Sequence, residues 1–217
     1  EEGIGVGHAI TSEDADKVSA YLLKVRAVRS NVSVFNSKGA MSASSAKSVA
    51  ETLEGEVEKA LGYIEAIREA ESEIANLEDQ VRIFEKLAPL NISLDLLSGY
   101  SGVEVYVAET ANSSKASKVF ADLRNDIEFM APAGLVAVAC APNKAAEVQM
   151  ALAELNAKAI QLPAGEGKPG QRASDARKAI DEATSSMESN QKNLDDWANK
   201  HGSDLVIVEE YLQREDA

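Results

Sequence analysis

Two distant stretches carry narrow apolar stripes at helical spacing, and together they restrict the chain to few folds. In residues 45–87 the apolar positions are Leu53, Val57, Leu61, Ile64, Ile67, Ile74, Leu77, Val81, Phe84 and Leu87, with Glu71 interrupting. Steps of three and four place them on one face of a helix roughly 60 Å long, at about 1.5 Å per residue. Residues 172–212 hold a seven-residue repeat through Ala176, Ile180, Ala183, Met187, Asn190, Leu194, Trp197 and His201, then Val208. Stripes this narrow on helices this long read as a coiled-coil seam rather than the wide face of a globular helix. The expected fold class is α+β: a long antiparallel coiled-coil hairpin with an α/β lobe at its tip.

Composition narrows the functional classes. Aromatic residues make up only 5% of the 217 positions, a bias of long helices and coiled coils. A net charge of −14 argues against nucleic acid, whose phosphates demand a basic surface, and suits a protein with basic partners. No run approaches the 18 or so apolar residues of a bilayer span, and no charged-then-apolar leader is visible. The single cysteine, Cys140, has no internal disulfide partner and fits a reducing compartment. Asn31, Asn91 and Asn112 each head an N-x-S triplet, which without secretion is expected to stay unmodified. The opening Glu1-Glu2-Gly3 carries no methionine, so a fragment of a longer chain is expected.

Four segments follow from the pattern: 1–44, an N-terminal segment with one amphipathic helix; 45–88, the outgoing helix; 89–170, the lobe; and 171–217, the return helix. Residues 1–10 are too glycine-rich for a helix. Thr11 with Asp14 resembles a capping box for a helix carrying Val18, Tyr21, Leu22, Val25 and Val28 on one face, predicted to pack as a third helix near the hairpin's base. Residues 30–45, with an isolated Phe35, read as a connection. Gly55 and Gly62 interrupt the outgoing helix, each costing about 1 kcal/mol relative to Ala. Antiparallel pairing predicts Trp197 opposite Gly62, a large knob over a missing side chain. Gly202-Ser203-Asp204 is expected to break or bend the return helix.

Pro89 stops the outgoing helix, and residues 90–100 read as a non-periodic apolar linker. Alternation over 103–108 predicts a strand with one buried face. Asn112 and Ser113 are expected to cap a helix reaching Arg124. Residues 127–130 form a second strand, and 135–141 is apolar throughout, as for a central strand. A helix with Val148, Met150, Leu152 and Leu155 follows, then a strand over 159–162. The order strand, helix, strand, strand, helix, strand is ferredoxin-like. Helices then cover one sheet face only, and something else must cover the other.

Around this lobe the residues resemble a known family. Leu87-Ala88-Pro89-Leu90 through Leu94-Asp95-Leu96-Leu97, and Gln161-Leu162-Pro163 through Gly167-Lys168-Pro169, resemble subunit I of archaeal and bacterial A/V-type ATPases, counterpart of eukaryotic V-ATPase subunit a. The resemblance covers residues 49–212. The βαβ lobe expected before the first helix is missing or reduced to residues 1–10, and the membrane half is absent. The resemblance therefore implies the distal part of a cytoplasmic N-terminal domain. It also implies a role as stator: peripheral-stalk subunits E and G or H as partners, indirect contact with the rotor ring, and a place on the cytoplasmic side of the membrane.

No catalytic constellation, cofactor site or metal site is expected. Gly165-Glu166-Gly167-Lys168 sits between a strand and a helix as a phosphate loop would, but lacks four residues between its glycines and the Ser or Thr after lysine. His8 and His201 are far apart, with no zinc-like spacing. His201 and Trp197 read as seam residues, and Cys140 as a small buried hydrophobe. Glu104 and Tyr106, on the sheet face expected to be open, are the candidate partner contacts. The expected seam comprises Val57, Leu61, Ile64, Ile67, Ile74, Leu77, Val81, Ile180, Met187, Leu194 and Trp197. Two rival functions come from other classes: a ferredoxin-like small-molecule sensor on a coiled-coil stalk, against which the lack of glycine in 107–114 weighs, and a coiled-coil scaffold that dimerises through its lobe.

Overall fold

The computed structural model describes residues 12–33 and 41–216. Thr11, the glycine-rich 1–10 segment with His8, and Phe35 lie outside them. In chain order the main elements are α1 (Ser12–Arg29), α2 (Ala43–Leu87), α3 (Leu94–Leu97), β1 (Glu104–Glu109), α4 (Ala116–Val119), β2 (Ile127–Met130), β3 (Leu135–Cys140), α5 (Ala145–Glu154), β4 (Lys158–Ala159) and α6 (Pro169–Glu215). The class is α+β. The chain divides into two compact units, Glu1–Ser72 with Ala183–Ala217, and Glu73–Glu182.

The first unit is a three-helix assembly of α1, the first part of α2 and the last part of α6. Its core joins Leu22, Val25 and Val28 of α1 to Leu53, Val57, Ala60 and Ile64 of α2 and to Leu194, Trp197, Leu205 and Val208 of α6. All of these but Ala60 and Leu205 are residues that spacing alone assigned to inward faces, because i, i+3 and i+4 positions share one side of a helix. The two long helices run antiparallel here, with Ile64 near Leu194 and Glu56 within 3.6 Å of His201. Glu209 of α6 is 7% exposed and receives Arg29 and, at 3.7 Å, the Nε of Arg26. A carboxylate this deep is held only because cations meet it. Arg26 and Arg29 thus fasten α1 to α6, while Lys24 pairs with Glu58 of α2.

Two sequence expectations fail in this unit. Trp197 does not fill a gap over Gly62: a Cβ on Gly62 would meet nothing within 4 Å, and the residue is exposed. Ala60 and Ile64 point inward, and two residues from either lies the far side of a 3.6-residue helix. Nor does Gly202-Ser203-Asp204 interrupt α6, which is continuous from Pro169 to Glu215. Gly202 is buried and is followed by buried Leu205, Val206, Ile207 and Val208, so packing overrides the local propensity. The open space beside Gly55 and Gly62 makes a prediction: Gly55→Ala and Gly62→Ala each raise stability by about 1 kcal/mol. A thermal melt of the double variant that is unshifted or lower would contradict it.

The second unit holds the sheet, of order β2-β3-β1-β4 with all pairs antiparallel. This is the ferredoxin-like arrangement, with the first and third strands central. One face, carrying Ala108, Ile127, Val136, Val138 and Cys140, packs on Phe120, Val148, Leu152 and Leu155. Thr110 follows β1, its Oγ1 donating to the Leu155 carbonyl at 2.6 Å. Asn112 precedes only the short turn Ser113–Lys115, and its side chain makes no capping bond there. Its Nδ2 donates to the same carbonyl at 3.3 Å, and the expected helix breaks into single turns around fully buried Phe120.

The other face is partly covered by the segment expected to be a non-periodic apolar linker. Leu90, Leu94 and Leu97 are at most 1% exposed and pack with Phe84, Leu87 and Ala173 over Val107, Leu135 and Ala137. Asn91 at φ 50° turns the chain after Pro89. The i, i+3 spacing of Leu94 and Leu97 then makes α3 a single amphipathic turn. Near this end the two long helices again run antiparallel, Arg177 pairing with Glu85.

Candidate interaction groove on the sheet

The site is built from two rows of side chains crossing the sheet on the face under α3. One row is Val107–Ala137–Met130 and the next is Val105–Ala139–Glu128, each fixed by strand register. The first row lies under the cover of Leu90, Leu94 and Leu97. The second is only partly covered. Because β3 places alanine in both rows, the floor is low and a groove of about 440 Å³ remains. Its walls are Ile92, Leu96 and Tyr100, with Leu96 50% and Tyr100 58% exposed. A tight turn, in which Tyr100 and Val103 bridge around Gly102 at φ 76°, sets the position of Tyr100. Glu128, on the edge strand β2, is the one charged residue in the lining. Large apolar side chains left exposed around a concavity mark a binding surface more often than chance.

Glu104 and Tyr106 do not lie on an open sheet face. Residues alternate sides along a strand, so they point with Ala108 toward the helix-covered side, where Tyr106 packs against the core. The Tyr106 hydroxyl donates to Glu104 Oε2 at 2.6 Å and accepts from Gln149 Nε2 at 3.3 Å. The bond to Glu104 pushes the Tyr106 pKa up. Both residues remain half-exposed.

Of the expected seam, Val57, Ile64, Leu194 and Trp197 are buried, while Leu61, Ile67, Ile74, Leu77, Val81, Ile180 and Met187 are half-buried. Asn190 bonds back to its own helix, its Nδ2 donating to the Ser186 carbonyl at 2.9 Å. His201 lies 5.2 Å from the Trp197 ring.

The other chemical candidates have structural employment. In the Gly165–Lys168 loop, the Gly167 N–H donates to Ser93 Oγ at 3.0 Å and its carbonyl accepts from Leu94. Arg172 reaches back to donate to the Glu166 carbonyl at 2.9 Å while its guanidinium stacks over Phe84. Gly165, at φ 126°, holds a backbone conformation that residues with a Cβ rarely adopt. Cys140 is 4% exposed, and burial, then the nearby Glu104 charge, push its thiol pKa up. That makes it a poor nucleophile. Among the described residues no group of three or more His, Cys, Asp or Glu is placed to hold a metal, and no helix is long and apolar enough to cross a membrane.

The groove escaped the sequence reading, although its signal was present. Leu135, Ala137 and Ala139 share one face of β3, and a taper from large to small on a central strand marks a place where cover is thin.

No protein-family model and no curated protein matches the chain. Among solved structures, it is similar to the crystal structure of the cytoplasmic N-terminal domain of subunit I, homolog of subunit a, of V-ATPase. The superposition covers 97% of this chain and 72% of that one, with a TM-score of 0.54 at 13% sequence identity. The chain has the fold of that domain. The subunit I domain is thus matched along almost the whole chain and not in the α/β unit alone, which excludes a likeness resting only on the widespread ferredoxin-like topology.

Proposed function

We propose that this chain is a non-catalytic stator component of a rotary A/V-type ATPase, linking peripheral stalks to the membrane sector and resisting rotational torque. The fold shared with the subunit I domain over 97% of the chain carries this reading. The helices suit such a task. α2 spans 45 residues and α6 spans 47, both without a break, and their apolar positions interlock along each unit. Interiors packed to crystal-like density are weakly compressible and transmit strain. The partners in this reading are stalk subunits E and G or H, with the rotor ring reached indirectly through a membrane domain, on the cytoplasmic side.

Light scattering on the chain mixed with purified E–G heterodimer tests the proposal. The expected result is a hetero-complex of one chain and one heterodimer. A homodimer that ignores the heterodimer would favour a self-associating scaffold instead. A melting temperature raised by amino acids or metabolites would favour a sensor.

A further inference from the structure

We propose that the groove over Val105, Ala139 and Glu128 receives an amphipathic helix of a stalk subunit. That helix sets aliphatic side chains on the alanine floor and a Lys or Arg against Glu128. The inference rests on the stator reading for the partner's identity, but the chemistry of the occupant comes from the groove. Its floor and walls are apolar, and Leu96 and Tyr100 leave half or more of their surface to solvent. Glu128 is exposed and makes no ion pair among the described residues, and no Lys or Arg lines the groove. An unpaired carboxylate beside an apolar trough is complementary to a cation beside an apolar stripe. A protein of net charge −14 further steers cationic segments toward itself.

The groove lies on the sheet's face and not along the free hydrogen-bonding edge of β2, so it offers side-chain sockets and not backbone pairing. Knobs spaced three or four residues apart on a helix fit such sockets.

Calorimetric titration of the full chain with purified E–G heterodimer tests this, using Ala139→Leu to fill the trough and Glu128→Lys to reverse the charge. Met150→Glu serves as control, because Met150 is 75% exposed on α5, outside the groove. Each groove variant is expected to weaken binding about tenfold or more, with a melting temperature near wild type. The control binds normally. Glu128→Lys is also expected to flatten the salt dependence of the affinity. Unchanged binding by both groove variants, or a loss confined to Met150→Glu, overturns the groove and leaves the stator reading standing. No binding by the wild type overturns both. Self-association of the wild type that Ala139→Leu abolishes makes a second copy the occupant and overturns the inference as well.

Discussion

Trp197→Ala lowers the stability of the three-helix unit by about 4 kcal/mol, the range for removing a buried aromatic from a packed core. Trp197 is 6% exposed and sits among Val57, Ala60, Ile64 and Leu194, so the deletion opens a cavity that three helices cannot close together. Trp197→Phe is expected to cost about 1 kcal/mol or less. The indole Nε1 is buried with no acceptor among the described residues, and an unsatisfied buried donor costs about 1–3 kcal/mol. Phenylalanine retains much of the apolar contact and removes that donor. Urea unfolding of both variants decides the matter. If phenylalanine proves as damaging as alanine, the indole N–H carries a stabilising bond in solution and the packing account of this residue fails.

Leu94→Ala costs the sheet-bearing unit about 3 kcal/mol, within the range for buried leucines. Leu94 is fully buried, and its backbone N–H donates to the Gly167 carbonyl. The side chain therefore seals the sheet at a point where the backbone is already tethered, leaving little room to relax into the gap. Leu96→Ala, two residues away and half exposed, is expected to change stability by about 0.5 kcal/mol or less. Calorimetric melts of the pair compare neighbours in one short helix. Equal small losses would show that residues 94–97 do not seal the sheet.

Much of the fold was legible because long helices and alternating strands repeat one physical signal many times. Val57, Ile64, Leu194 and the inward face of α1 followed from period alone, β1 from alternation and β3 from its unbroken apolar run, whereas the last strand, expected over 159–162, is only Lys158–Ala159. What failed was local and short. α3 is one turn, too brief to show a period, so its leucines looked like a linker. The Gly202 region kept its helix through burial, which no propensity scale sees. Asn112 chose a carbonyl 43 positions away over a helix end beside it. The sheet-face error had a different cause. Alternation gave the two faces correctly, but which one the chain would cover with its own residues depended on where residues 90–97 came to rest. The groove followed from that same placement.

One consequence concerns Cys140. As the sole cysteine, enclosed in the sheet with a thiol that resists ionisation, it leaves the rest of the surface chemically silent to maleimides. Pairs of reporter dyes can therefore be attached at engineered exposed sites without first mutating the native residue. Distances between the two units, at rest and under an applied twist, then become measurable in the otherwise unaltered protein.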